Sequence, residues 1–286
     1  MFDYSNIPYR NCPAWINGTE CTVKDLTVSI LDLGLIHSDA TYDVIAFRKG
    51  IALEFDWHLD RFITSCEAWR LPLPYSKEQL KDIVTSVHKR TTWANSIIWI
   101  SITRGIPSSG NPRDLRNCIP QVVVYAKPYQ QFNGTNLATV CSATTVTRVP
   151  DCSINQNNKN FVWNDLTTAQ WEAIDQGFDT AVLFGTTGFL TEGPGFNVAI
   201  VKDHCVYAPK ANRLPGVSMR IVEKLCNELD IPFAWVDITA EQVDACDDMF
   251  LTTTIGNLVT VTQYNERKLT VSDVQRKLIE ALNNGS

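Results

Sequence analysis

The chain has 286 residues, 44% of them hydrophobic, with eight Trp, twelve Phe and 20% charged residues. That composition excludes a disordered chain or a coiled coil and is enough for two domains, each with its own core. The net charge of -6 excludes non-specific affinity for nucleic acid or anionic membrane, which needs a basic surface, so any anionic ligand must meet a local basic site.

The amino terminus, Met1-Phe2-Asp3-Tyr4, lacks a basic stretch followed by an apolar core. The longest apolar stretches, around Ser96–Ile102 and Ala181–Phe184, are too short to span a bilayer. A cytoplasmic protein is expected. Nine Cys are scattered without C-x-x-C spacing, which reads as buried reduced thiols rather than a disulfide framework.

In chain order, strand-like segments run at Ala14–Asn17 and Thr27–Leu31. Tyr42–Phe47 and Ile51–Phe55 then flank Arg48-Lys49-Gly50 as a hairpin. A helix is predicted over Asp56–Trp69, with Leu59, Phe62, Ile63 and Cys66 on one stripe and Arg61 on roughly the opposite side. Ser76 and Gln79 make a capping-box signature, and Leu80, Ile83, Val84 and Val87 give a second helix its apolar face. Strands follow at Ser96–Thr103 and Gln121–Tyr125. The polar segment Lys127–Gly134 is the candidate linker, separating a small N-terminal domain, 1–126, from a larger C-terminal domain, 135–286.

The second half opens with a strand-like Ala138–Val146. An asparagine-rich stretch, Ser153–Asn160, leads into a helix from Asp165 to Gln176, with Gly177 as its C-terminal cap. Thr180–Phe184 and Phe189–Thr191 bracket a turn at Gly185–Gly188, and Asn197–Val201 pairs with Cys205–Tyr207 as a second hairpin. A helix follows Leu214-Pro215-Gly216, Phe250–Thr254 reads as a strand, and the last helix carries Val274, Leu278, Ala281 and Leu282. The alternation implies a mixed α+β architecture.

Several residues stand out chemically. Lys159 lies in a run of Asn and Gln just before a helix, a pattern that also suits a surface lysine. Gly216-Val217-Ser218 opens a helix whose free first-turn amides and dipole favour an anion, although many helices begin with Gly and Ser. Glu192 ends a strand and enters a glycine-flanked loop, where an exposed loop acid is the plain alternative. His37-Ser38-Asp39 does not make a serine hydrolase, because no G-x-S-x-G elbow is present. The four His show no metal-ligand spacing, so no metal site is expected.

Taken together, these segments resemble the fold-type IV pyridoxal-phosphate enzymes: branched-chain aminotransferases, D-amino-acid aminotransferases and (R)-selective amine transaminases. Asp32-Leu33-Gly34 through His37-Ser38-Asp39-Ala40-Thr41-Tyr42-Asp43-Val44 is most similar to the (R)-amine transaminase branch. His58-Leu59-Asp60-Arg61 resembles the segment whose arginine grips the cofactor phosphate. Lys159-Asn160-Phe161-Val162-Trp163 resembles the segment bearing the Schiff-base lysine. Thr191-Glu192-Gly193 with Gly195 and Asn197 resembles the carboxylate motif that pairs with the pyridine nitrogen. Leu214-Pro215-Gly216-Val217-Ser218 resembles the phosphate turn, and Thr252-Thr253-Thr254 a second cofactor contact. Two departures are visible: Val-Ser stands where Ile-Thr is commoner, and Met219 stands where an Arg often follows, with Arg220 one place later.

The resemblance implies a two-domain α+β fold, with a small α/β domain and a larger pseudo-barrel domain. It implies pyridoxal 5'-phosphate as cofactor, Lys159 as catalytic residue, and cofactor contacts from Arg61, Glu192, Val217, Ser218, Thr253 and Thr254. His37, Tyr42, Arg104 and Trp163 fall at substrate-pocket positions; core aromatics and a loop arginine are the alternative for the last three. The implied reaction moves an amino group from an (R)-amine or D-amino acid to a keto acid such as pyruvate. A branched-chain L-amino-acid aminotransferase and an aminodeoxychorismate-type lyase are the alternatives. A homodimer is also expected from the resemblance.

Overall fold

The structure is a computed structural model that describes residues 8–109, 111, 113–129, 135–255 and 257–284. The chain divides into two compact units, Met1–Tyr129 with Asn158–Val162, and Gln130–Asn157 with Trp163–Ser286.

The first unit holds β1 (Pro13–Ile16), β2 (Thr19–Thr22), the single turn α1 (Leu33–Ile36), β3 (Ala40–Arg48), β4 (Ile51–Ala52), α2 (Phe55–Ala68), α3 (Lys77–Lys89), β5 (Ser96–Pro107) and β6 (Cys118–Pro128). Its strands form an antiparallel sheet in the order β2-β1-β6-β5-β3-β4. Ile45, Phe47, Ile98, Ile100, Ile102, Val122 and Val124 meet Leu59, Phe62 and Cys66 of α2 and Leu80, Val84 and Val87 of α3 in one core. Strand alternation sends Trp99 and Tyr125 to the other face, where their rings stack. The capping box forms as expected: Gln79 N donates to Ser76 Oγ at 3.3 Å and Ser76 N to Gln79 Oε1 at 2.8 Å.

The β5–β6 ladder shifts register between Thr103 and Ile106. Gly105 sits there at φ +79°, and a Cβ would lie 1.6 Å from the Ile119 carbonyl oxygen, so only glycine passes this bulge. Two expectations change. Thr27–Leu31 is not a strand: Val28, Ile30 and Leu31 are exposed, and Ser29 accepts locally from Leu31 N and Asp32 N. Alternation yields a strand only where a neighbouring strand supplies ladder partners. The strand expected over Ile51–Phe55 stops at Ala52, because Phe55 opens α2. Lys127 and Pro128 end β6, and residues 130–134 of the expected linker lie outside the described residues.

The second unit holds β7 (Leu137–Ser142), α4 (Asn164–Asp175), β8 (Thr180–Val182), β9 (Glu192–Gly193), β10 (Phe196–Lys202), β11 (Cys205–Pro209), α5 (Val217–Glu228), β12 (Phe233–Val236), α6 (Ala240–Asp244), β13 (Asp248–Thr253), β14 (Asn257–Tyr264), β15 (Arg267–Lys268) and α7 (Asp273–Asn284). The sheet runs β12-β11-β10-β13-β14-β7-β8, with β9 beside β10 and β15 beside β14. The β11–β12, β14–β7 and β7–β8 pairs are parallel and the others antiparallel.

β10 and β13 are buried on both faces. Val198, Ile200, Met249 and Leu251 enter one core, while Ala199, Val201 and Phe250 enter another beneath α5 and α7. Double burial explains why Asn197–Val201 reads as a nearly unbroken apolar run. Gly177, at φ +81°, ends α4 as expected, with Phe178 N donating to Ala173 O at 2.9 Å. β12, α6 and β14 are not anticipated from sequence. Among the described residues, no helix is long and apolar enough to cross a membrane.

Candidate active site

The asparagine-rich stretch alternates between burial and exposure: Gln156, Asn158 and Asn160 are each less than a tenth exposed, while Ser153, Asn155 and Asn157 are exposed. Asn160 Oδ1 accepts from Val162 N at 3.0 Å, and its Nδ2 donates to Asn158 O at 3.1 Å. Side chains of this kind replace ladder bonds with local ones and fix an irregular backbone. Between the two asparagines, Lys159 is held by its carbonyl, which accepts from Thr41 Oγ1 at 2.6 Å. Its Nζ lies 4.2 Å from the centroid of Tyr42. Among the described residues Lys159 makes no ion pair, an arrangement that keeps its nitrogen available as a nucleophile. Tyr42 stacks on Trp99 at 4.1 Å, with planes 4° apart, and meets Phe161 edge-on at 5.5 Å.

Arg61 leaves the apolar stripe of α2 to reach β3. Its Nε donates to Asp43 Oδ2 and its Nη2 to Asp43 Oδ1, both at 2.8 Å. His58, three residues earlier on the same helix, places Nδ1 2.8 Å from the same Oδ1. Burial alone would raise the pKa of Asp43, which is fully enclosed, but Arg61 and His58 outweigh it and hold the carboxyl well below the usual range.

Arg104 lies in β5. The side chain expected as a candidate for a substrate carboxylate is 7% exposed and already committed. Nε and Nη2 grip Asp39 at 2.8 and 3.1 Å, Nη2 also donates to Trp69 O at 2.7 Å, and Nη1 donates to Arg70 O at 2.5 Å. It ties β5 to the end of α2. His37 is exposed at the C-cap of α1.

In the second unit Glu192 is 5% exposed rather than a loop acid in solvent. Oε1 accepts from Arg148 Nε at 3.0 Å; Oε2 accepts from Leu214 N at 3.0 Å and Asn197 Nδ2 at 3.4 Å. Arg148 also donates to Asp165 Oδ2 at 2.5 Å and to Gln156 Oε1. Asn197 belongs to the motif read around Glu192, whereas Arg148 and Asp165 were not singled out from sequence. The one signal was indirect: a buried acid needs a cationic or amide partner, which names no position. Trp163 precedes α4 and leans over Gly195, where an added Cβ would lie 3.5 Å from its ring.

The Glu192 carboxylate also orders the approach to α5. Asn197 Nδ2 donates to Leu214 O at 2.9 Å, and a Cβ on Gly216 would sit 1.8 Å from Asn197 Oδ1. Glycine is therefore required at the N-cap for packing. Gly216, the N-cap of α5, has no side chain to cap it, which suits the first-turn amides to an anion. Ser218 Oγ donates to Thr253 O at 3.0 Å. Thr252, paired with Asn197 across β10 and β13, has a buried hydroxyl with no partner among the described residues. Met219 is buried in the core while Arg220 is exposed.

Each unit by itself holds chemistry that suits pyridoxal 5'-phosphate: the first an amine with no ion pair among the described residues, the second a buried carboxylate held by Arg148, Asn197 and the Leu214 amide, and a helix start at Gly216 with an orphaned hydroxyl nearby. Comparison with known proteins agrees. The chain is 27% identical over 272 residues to a putative branched-chain-amino-acid aminotransferase of Methanocaldococcus jannaschii, covering 93% of each chain. It is 28% identical to a D-alanine aminotransferase of Staphylococcus haemolyticus, covering 94% of this chain and 96% of that one. The branched-chain amino acid aminotransferase of Escherichia coli shares the fold, with a TM-score of 0.90 at 19% identity over 96% of this chain and 94% of that one. The family model of amino-transferase class IV matches residues 40–264, and the chain belongs to the class IV aminotransferases.

Proposed function

We propose that this enzyme moves an amino group from a D-amino acid or an (R)-amine to a keto acid such as pyruvate. Pyridoxal 5'-phosphate is the cofactor, and when bound it supplies the electron sink for negative charge at the amine-bearing carbon. The observation that carries the reading is Lys159, whose Nζ is free of any ion pair among the described residues and rests on Tyr42. Lys159 would carry the cofactor until the substrate amine takes its place there, and the Nζ so freed would take the proton from the amine-bearing carbon and return it to the cofactor. Glu192, fixed by Arg148, Asn197 and the Leu214 amide, holds the proton on the ring nitrogen. Arg61, the amides of Val217 and Ser218, and the hydroxyls of Ser218 and Thr254 bind the phosphate, with Thr253 beside them. Tyr42, in the first unit, and Trp163, in the second, are each proposed to contact the substrate.

Similarity to a D-alanine aminotransferase over nearly the whole chain supports the D-amino acid as donor. The His37–Val44 segment supports the (R)-amine. A branched-chain L-amino acid is the second reading, supported by similarity to the archaeal relative. The test is an absorbance spectrum of the protein and of Lys159→Ala, before and after (R)-1-phenylethylamine, D-alanine and L-leucine, with pyruvate-dependent turnover alongside. A visible cofactor band that needs Lys159 and is bleached by D-alanine or the (R)-amine supports the proposal. Bleaching by L-leucine alone selects the second reading, pyruvate release without a keto acid selects a lyase, and no band with added cofactor refutes the site. A homodimer belongs to this reading; light scattering at the 32.1 kDa chain mass would refute it.

A further inference from the structure

Three consecutive residues of β3 address three different parts of the site. Thr41 bonds the Lys159 carbonyl oxygen, Tyr42 underlies the Lys159 amine, and Asp43 grips Arg61. We propose that Asp43 is a positioning residue, anchored by His58, that fixes the Arg61 guanidinium to receive the cofactor phosphate in register with Lys159. The inference rests on the phosphate-binding role given to Arg61 above.

Arginine has a long, rotamer-rich side chain, and on a helix surface it would sample many positions. The two parallel bonds from Nε and Nη2 to one carboxylate fix both the plane and the direction of the guanidinium. The carboxylate itself cannot swing. It is fully buried, and its Oδ1 also meets His58 Nδ1 at 2.8 Å, from a position one helical turn before Arg61. Asp43 therefore does for Arg61 what the local asparagine bonds do for Lys159. Because both anchors sit on one strand, the distance between the amine-bearing and phosphate-binding groups is set by two residue steps of backbone rather than by loops. An isolated acid in the otherwise apolar pattern Val44-Ile45-Ala46-Phe47 also makes little sense as core material, since a buried charge is tolerated only when paired.

A role in fold alone predicts that removing Asp43 weakens every ligand alike. Positioning predicts a loss that depends on the phosphate. The experiment is to measure dissociation constants of the full-length protein, by absorbance titration, for pyridoxal 5'-phosphate and for pyridoxal, which lacks the phosphate. Asp43→Asn keeps the side-chain volume but offers one acceptor where the guanidinium and His58 need two. We expect it to weaken pyridoxal 5'-phosphate about 10- to 100-fold, as misplacing a binding group does, while pyridoxal changes less than about threefold. Inorganic phosphate should also compete less well against pyridoxal 5'-phosphate in the variant.

Should Asp43→Asn fail to fold, Asp43→Glu serves the same comparison: it keeps the charge but pushes the guanidinium outward by a methylene, and a smaller phosphate-dependent loss is expected. Equal losses for the two ligands, or none, overturn the inference. Arg61→Ala separates this outcome from failure of the underlying reading. If Arg61→Ala shows the phosphate-dependent loss and the Asp43 variants do not, only positioning by Asp43 falls; if Arg61→Ala does not show it, the role of Arg61 itself is wrong.

Discussion

Arg148→Met tests whether the buried cluster in the second unit is what holds Glu192. The guanidinium lies 3.0 Å from Glu192 Oε1 and 2.5 Å from Asp165 Oδ2, with the three side chains 5%, 7% and 4% exposed respectively. Methionine fills much of the space but leaves two enclosed carboxylates without their cation. Breaking one side of a buried ion pair costs about 3–5 kcal/mol, far more than a surface pair. For a unit of this size each kcal/mol moves the melting midpoint by about 2–4 °C, so a fall of roughly 6–20 °C is expected. The assay is thermal unfolding followed by near-UV circular dichroism, repeated for Glu192→Gln and the double variant. Because the two side chains touch, the double variant should be about 0.5–3 kcal/mol more stable than the sum of the singles predicts. Additivity within about 0.3 kcal/mol, or a midpoint shift under about 2 °C for Arg148→Met, would refute the cluster as described.

Gly216→Ala forces a Cβ against Asn197 Oδ1 and should cost about 1–3 kcal/mol while weakening cofactor binding, as read by a melt and an absorbance titration. For Arg104→Met we expect a stability loss of about 1–3 kcal/mol, from acceptors left at Asp39, Trp69 and Arg70, with KM for pyruvate unchanged. A tenfold rise in KM without a stability loss would return Arg104 to substrate binding. His88 is stacked on Phe47 at 4.0 Å with Nδ1 2.8 Å from Ser96 Oγ, and burial holds its pKa below the ordinary 6.5. The unfolded chain then takes up the proton first, so its contribution to stability is complete above about pH 6.5 and declines as the pH falls toward the lower folded value. Relative to His88→Leu, the wild type should lose melting temperature between about pH 7 and pH 5; a constant difference would refute this.

Element type was legible where one face of a helix or strand is buried, because that burial imprints a period on the chain. The Ser76 capping box, the Gly177 cap and the apolar face of α3 follow from that period and from local backbone chemistry. The same rule explains the failure at Thr27–Leu31: alternation is necessary for a half-buried strand, but ladder partners come from elsewhere in the chain. β14 was missed although Val259, Thr260, Val261 and Thr262 are β-branched residues that favour a strand; its pairing with β13 and with β7 is what the fold adds.

The sequence by itself determined the α+β class and most of the helices and, through the resemblance of its ordered motifs, the candidates proposed for the chemistry: Lys159, Glu192, Arg61 and the turn at Gly216. Each stands in a short motif that the resemblance picks out, where composition and spacing alone left a plainer reading open. Only the tertiary structure decided what each of them touches. Arg61 meets Asp43 from 18 residues away, Glu192 meets Arg148 from 44, and Arg104 is bound to Asp39 from 65. A charged side chain looks the same in sequence whether it awaits a ligand or is already paired, because burial and pairing depend on parts of the chain that meet only in the fold.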